Sequence, residues 1–345
     1  MDIGNIKRNF NKKLVIVTPV YNTEKYLHQF FKSVLSQSFT DFDLFVVNDG
    51  SVDGSEEIIR EYEEKDSRVH YYKKDNGGVS SARNYALEKI NESKGRYEYI
   101  YFCDSDDMLG DHCLKKNIEA ITQIEGDYAV FSVGYLSRSG LKHHKKRYIY
   151  NKIMSHEDIV RQYFRLGWKW RKDACSEAFL NNKIFRMEHV RKYRFDETLK
   201  RSEDFAFFLD ILPCLKKGVI VPAAMYIYRR RKSSLTNTVV NDTDLIVCKS
   251  IYNNISVRTP LEKLAINHKL LRAYYITASA LFSKGYKNEA YKLIKEVCSL
   301  DISDINVFDL KILLLAYSPK VFFEAFMRIR DRKNDRSKIV STYFD

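Results

Sequence analysis

Long apolar runs are absent from this chain of 345 residues. Nothing in it approaches the ~20 consecutive apolar residues that cross a bilayer as a helix. The longest apolar patch, Val219 to Tyr228, is broken by Pro222 and leads at once into Arg229-Arg230-Arg231. The first stretch, Met1 to Lys13, is polar and charged and lacks the apolar centre of a secretory signal. Cysteine is scattered over Cys103, Cys113, Cys175, Cys214, Cys248 and Cys298, with no Cys-x-x-Cys and no Cys/His pair at zinc spacing. Reduced, mostly buried thiols in a cytosolic protein are therefore expected. The eight histidines show no metal spacing either. The Gly-x-Gly-x-x-Gly fingerprint is missing, which excludes a dinucleotide oxidoreductase. No tandem repeat or low-complexity linker divides the chain.

What is present is a globular composition, 45% hydrophobic and 30% charged. Tyrosine and phenylalanine are abundant, at 24 and 21 residues, which suits pockets as well as half-buried sheet. The net charge of +13 points to polyanionic partners such as anionic lipid, nucleic acid or phosphorylated substrates. Two runs concentrate it, Lys142-His143-His144-Lys145-Lys146-Arg147 and Tyr228-Arg229-Arg230-Arg231-Lys232. Each reads first as a solvated basic face.

Leu14 to Val17 is wholly apolar and reads as a buried parallel strand. Thr23 stands where it can cap a helix carrying Tyr26, Leu27, Phe30, Phe31, Val34 and Leu35 at helical spacing. Further strands are predicted over Leu44–Val47, Val69–Tyr72 and Tyr99–Phe102, with helices over Ser55–Lys65, Ser80–Ile90 and Asp111–Ile124. Four strand–helix alternations predict an α/β layered domain with a mostly parallel sheet. Further strands and a basic hairpin follow between Tyr128 and Tyr150, helices over Ser155–Leu166 and Ser202–Leu212, and a strand over Val219–Tyr228. Beyond about residue 241 helices dominate: Leu261–Phe282, Tyr286–Ser299, Val307–Tyr317 and Lys320–Arg330. The expected division is residues 1–240 and residues 241–345.

The most informative segment is Tyr99-Ile100-Tyr101-Phe102-Cys103-Asp104-Ser105-Asp106-Asp107, an apolar stretch ending in three carboxylates. Hard divalent cations take oxygen ligands, and Mg²⁺ is commonly held by one or two carboxylates plus substrate phosphates. Open α/β sheets bind ligands beyond the carboxyl ends of their strands. Pro19-Val20-Tyr21-Asn22, Asn48-Asp49-Gly50-Ser51 and Asp104-Ser105-Asp106 all fall at that edge.

Taken in order, Thr18-Pro19-Val20-Tyr21-Asn22, Asn48-Asp49-Gly50-Ser51-Val52-Asp53, Asn76-Gly77-Gly78-Val79-Ser80-Ser81-Ala82-Arg83-Asn84, Asp104-Ser105-Asp106-Asp107 and Glu203-Asp204 resemble the inverting family 2 glycosyltransferases of GT-A fold, over roughly residues 13–235. The resemblance implies a UDP-sugar donor and Mn²⁺ or Mg²⁺. It places Pro19, Tyr21 and Asn22 along one wall of the nucleotide pocket, Tyr21 lying on the base or packing a helix. It puts Asp49 on the uracil imide N–H and Arg83 on the base or phosphate. Asp104 and Ser105 would meet the nucleotide-sugar, Asp104 taking a ribose hydroxyl or a place near the metal. Asp106 would be the main metal ligand, and Asp107 would support it or bind donor-sugar hydroxyls. Asp204 would be the general base, with Glu203 orienting it or binding acceptor. Arg231 and Ser233 would close over the diphosphate. Asn182-Lys183-Ile184-Phe185-Arg186 resembles a further family segment, read as fold support near the acceptor. Arg201-Ser202 stands where the family often carries an aromatic residue, a departure that bears on acceptor contacts.

The implied reaction is a single displacement with inversion, delivering a hexose or N-acetylhexosamine to a hydroxyl of a glycan or lipid-linked oligosaccharide. Bacterial surface polysaccharide synthesis, whether capsule or lipopolysaccharide, is the context that the family suggests. One alternative is an inactive glycan- or lipid-binding peripheral protein of the same fold. Another is a haloacid-dehalogenase phosphatase, which fits poorly because Met108 follows the acids and about 100 residues precede them. Val321 to Lys333 is apolar and then basic, which suits an anionic inner-leaflet surface as well as a packed helix. Nucleic acid is not expected as a partner, and an oligomer is left open.

Overall fold

The computed structural model describes residues 12–92, 97–137, 140–143, 150–166, 180–230, 243–254, 259–300 and 309–342. It divides into two compact units, Met1–Ile159 with Lys172–Arg231, and Val160–Arg171 with Lys232–Asp345.

The first unit is built on β1 (Lys12–Val20), β2 (Phe42–Asp49), β3 (Val69–Lys74) and β4 (Tyr97–Phe102). They alternate with helices α1 (Glu24–Leu35), α2 (Ser55–Lys65) and α3 (Val79–Glu92). β1 pairs in parallel with β2 on one side and β4 on the other, and β3 extends the sheet beyond β2. Leu14, Val15, Ile16 and Val17 are fully buried, as expected of a strand covered on both faces. Leu27, Phe30, Phe31 and Val34 of α1 join Leu44, Val46 and Tyr101 in one core cluster. Thr23 does not cap α1 with its side chain. Its hydroxyl pairs instead with Ser105 Oγ at 3.0 Å, a tertiary contact that outcompetes the local one.

The chain continues through β5 (Met108–Leu109), α4 (Cys113–Gln123), β6 (Tyr128–Ser137), β7 (Gly140–His143), β8 (Lys152–Ser155), α5 (His156–Tyr163), β9 (Lys183–Arg186), α6 (Met187–Val190), α7 (Glu203–Ile211) and β10 (Lys217–Arg229). The sheet runs β3-β2-β1-β4-β9-β6-β10-β5, with β7 on β6 and β8 on β10. β9 lies antiparallel between β4 and β6, so the mostly parallel sheet is mixed at this point. β10 runs straight through Pro222, absorbing it in a register shift between Val221 and Met225.

The second unit holds α8 (Thr243–Asn254), α9 (Pro260–Ser283), α10 (Lys287–Lys295), α11 (Leu310–Tyr317) and α12 (Lys320–Thr342). α9 opens on a capping box between Thr259 and Glu262. Phe323 and Met327 of α12 are buried, Phe323 against Phe282 of α9 and Tyr291 of α10. His268 of α9 bonds the buried Asp309 carboxylate at 2.8 Å. Among the described residues no helix is long and apolar enough to cross a membrane.

Candidate active site

Strand order reverses at β1, whose neighbours are β2 and β4. A crevice therefore opens beyond the carboxyl ends of these strands. Pro19 stands one residue before the end of β1, opposite Val47. Asn22 takes left-handed backbone (φ 52°), which asparagine tolerates. Its N–H donates to Ser51 Oγ at 3.0 Å and its Oδ1 accepts from Val52 N at 2.9 Å, clasping the first loop to the second. Tyr21 is 50% exposed on this rim and is no core aromatic.

Asp49 at the tip of β2 is buried. Its carboxylate accepts from Lys74 Nζ at 2.8 Å, Gly77 N at 3.0 Å and Gly78 N at 2.7 Å. Gly78 has φ +90°, a conformation that suits glycine. Asp49, expected on a uracil imide, thus shapes the loop that leads into α3.

The three acids after β4 lie together, with one carboxylate oxygen from each of Asp104, Asp106 and Asp107 within 4.8 Å of the others. Asp107 is buried at 1% exposure, a position that suits support of the cluster. Its oxygens accept from Tyr226 Oη and, at 2.6 Å, from Arg229 N. Burial, then Asp106 and Asp104, push its pKa well above the ordinary carboxylate value. Asp104 accepts from Arg83 at Oδ1 (3.3 Å) and from Asn181 Nδ2 at Oδ2 (2.5 Å). Arg229 also donates to the Asp106 carbonyl at 2.9 Å and to Gln29 at 2.6 Å. Ser105, expected on the nucleotide-sugar, is buried with its hydroxyl on Thr23, so it joins two loops. The all-oxygen, acidic donor set suits a hard divalent cation. Asp104 and Asp107 are each held at both oxygens, an arrangement of the kind that steadies ligands around a metal.

Arg83 is expected on the nucleotide. In the structure it is buried, with its guanidinium on three carboxylates: Asp204 at 2.7 Å, Glu203 at 3.3 Å and Asp104 at 3.3 Å. Burial opposes its charge, but the three acids outweigh that and hold it above its ordinary range. The guanidinium lies 5.2 Å from the Phe195 ring centre. Phe195 in turn stacks on Phe207 of α7 at 3.9 Å between centroids. Asn84 fixes the same loop, exchanging bonds with Phe195 O (2.9 Å) and Phe195 N (2.8 Å). Ser202, at φ 58°, turns the chain into α7. Glu203 and Asp204 occupy its first turn, where the helix dipole favours acids. Glu203 is pushed up to about 7, by burial first and Asp204 second, with Arg83 pulling the other way. Arg83 therefore ties Asp104 of the acidic cluster to Glu203 and Asp204 of α7.

Arg231 and Ser233 lie outside the described residues. Asn84, Asn181, Tyr226 and Arg229 are the residues that motif reading did not assign. Asn84 had a signal as part of the Arg83-Asn84 motif, and Tyr226 and Arg229 stand in the segment Tyr226–Ser234, which resembles the family's late basic loop. Asn181 had none and comes to the site only through the sheet.

The model of glycosyl transferase family 2 matches residues 15–194. Glycosyltransferase GlyA of Streptococcus pneumoniae is 28% identical over 227 residues, covering 65% of this chain and 31% of its own length. The minor teichoic acid biosynthesis protein GgaB of Bacillus subtilis is 29% identical over 232 residues, covering 66% of this chain and 24% of its own. The chain thus spans a third or less of either relative. S. aureus TarS 1–349, solved in complex with UDP-GlcNAc, superposes with a TM-score of 0.64 at 18% identity, over 83% of this chain and 80% of that one. At that identity the likeness speaks for the GT-A fold alone.

Proposed function

This chain belongs to glycosyl transferase family 2, and from that premise we propose that it moves a hexose or N-acetylhexosamine from a UDP-sugar to a hydroxyl of a glycan or lipid-linked acceptor, with inversion, in bacterial surface polysaccharide synthesis. The observation that carries this reading is Arg83, which bonds Asp104 and Asp204 at once. A donor diphosphate at the first acid and an acceptor hydroxyl at the second would then share one anomeric carbon. The UDP-GlcNAc complex of TarS supports a UDP-sugar as the donor class, and the teichoic acid role of GgaB supports a cell-surface polymer as context.

In the reading, the acceptor hydroxyl meets Asp204 at the mouth of the site. Its oxygen bonds to the anomeric carbon as the carbon–oxygen bond to UDP breaks, and the proton passes to Asp204. General-base help of this kind is worth ~10²–10⁴ in rate. Asp106, backed by Asp104 and Asp107, would hold Mn²⁺ or Mg²⁺, which when bound neutralises charge on the departing diphosphate. Arg83 keeps Asp204 placed, and Phe195 and Phe207 keep Arg83 placed. Tyr21 remains the candidate for the base face.

A peripheral membrane location belongs to the same proposal. It rests on exposed Leu310, Leu314 and Tyr317 of α11 and Val321 and Phe322 of α12, set among lysines and arginines.

Turnover of a UDP-sugar panel with Mn²⁺ is the test. Asp204→Asn is expected to lose ~10²–10⁴ in kcat while still binding UDP. Full activity in that variant would remove Asp204 as the base.

A further inference from the structure

We propose that Asn181 is the positioning residue that presets the acidic cluster for its cation. The inference rests on the reading of Asp104 to Asp107 as the cation end. Asn181 lies just before β9, is 4% exposed, and belongs to no motif. Its Nδ2 carries two hydrogens, and both are used. One goes to Asp104 Oδ2 at 2.5 Å and the other to Tyr226 Oη at 2.9 Å. Tyr226 passes the connection on by donating to Asp107 Oδ2. A single amide thereby orients two of the three carboxylates, one directly and one through a buried phenol.

The anchoring of this residue fits the role. Tyr101 of β4 donates to the Asn181 carbonyl at 2.7 Å, so the strand that delivers Asp104 also fixes the group that orients it. The preceding residue reaches the other half of the site, since Leu180 N donates to Asp204 Oδ2 at 3.4 Å. The Leu180-Asn181 step therefore touches the acid at the cation end and the acid at the acceptor end.

Chemistry explains why an amide stands here. A cation such as Arg83 orients Asp104 but also neutralises it. A neutral N–H donor orients the carboxylate and leaves its charge for a metal. The orientation carries a cost, because Asn181 Oδ1 is buried and meets no hydrogen-bond partner among the described residues. Flipping the amide would turn that oxygen onto the Asp104 carboxylate. Fixed donors around metal ligands typically account for 10–100-fold in metal affinity.

The experiment measures Mn²⁺ binding to the full chain with saturating UDP by calorimetry, with UDP binding in the absence of metal and thermal melting as controls. Asn181→Ala is expected to weaken Mn²⁺ by ~10–100-fold while metal-free UDP affinity holds. Tyr226→Phe, which removes one bond from Asp107 and one from Asn181 but leaves the Asn181–Asp104 bond, is expected to weaken Mn²⁺ by less. In steady state, higher Mn²⁺ should restore kcat to Asn181→Ala. The double variant should lose less than the two single losses combined, because both sit in one network. Should Asn181→Ala fold poorly, Tyr226→Phe and its Mn²⁺ affinity decide alone. Mn²⁺ affinity within twofold of wild type in the folded variants, even with a lowered melting temperature, would overturn the inference and leave the proposed function standing. Failure of the wild-type chain to take up Mn²⁺ with UDP would overturn the cation reading itself, and the inference with it.

Discussion

Glu203 is where the charge balance of the site gives way. Three carboxylates face one guanidinium, and the one pushed up to about 7 is Glu203. A carboxyl raised in the fold contributes stability while protonated and loses it as pH rises from its ordinary value through the raised one. The melting temperature of the ligand-free protein should therefore fall between about pH 5 and pH 8, and Glu203→Gln should flatten that slope. Parallel profiles for the two proteins would place the proton elsewhere. The identities of Glu203, Asp204 and Arg83 were legible in their motifs, but their mutual contact was not. Arg83 reads along the chain as a nucleotide contact, because nothing local shows that three acids from two distant segments will converge on it. Asn181 carries no local signal at all, since its role comes from β9 being laid beside β4.

Loops and strand ends hold the crevice open, and Asp49 shows how. Its carboxylate gathers Lys74, Gly77 and Gly78, fixing the segment that enters α3 and hence the base of the Arg83 helix. Asp49→Ala would take the ion pair from Lys74 and leave the Gly77 and Gly78 amides without this acceptor, and a buried group left without its partner costs ~1–3 kcal/mol. The expected outcome is a melting temperature lower by several degrees and a raised KM for the UDP-sugar, with kcat changed less. A raised KM without loss of stability would instead return Asp49 to direct base recognition. Most long elements were readable, because buried apolar runs and helical spacing mark them; α2, Ser55–Lys65, is found where the spacing predicts it, whereas α8, Thr243–Asn254, was not predicted. β5, β8 and β9 were not readable, since two to four residues are too few to display a period. Thr23 misled for a related reason. A hydroxyl before a helix favours capping locally, and only the fold brings Ser105 within its reach.

Charge and apolar exposure act over the whole molecule. The net charge of +13 draws the protein toward anionic surfaces over about a Debye length, ~10 Å at 0.1 M salt. Attraction alone is weak at physiological salt, so lasting attachment needs apolar burial as well. In the proposal α11 and α12 supply it: Leu314, Tyr317, Val321 and Phe322 are each at least two-thirds exposed, while Phe323 and Met327 of α12 are buried. Six basic and two acidic side chains lie between Leu310 and Lys333. Full burial of one such apolar side chain is worth ~1.5–3 kcal/mol, and 1.4 kcal/mol is about tenfold in partition. Flotation with vesicles rich in phosphatidylglycerol should therefore carry the wild-type chain upward, and vesicles of phosphatidylcholine alone should carry little of it. Leu314→Glu with Phe322→Glu should reduce partition by well over tenfold without changing turnover of a soluble acceptor, and raised salt should weaken binding further. A chain that ignores both vesicles but sediments as a concentration-dependent dimer, reverting to monomer with the same two substitutions, would assign this face to a second copy and remove the membrane from the proposal.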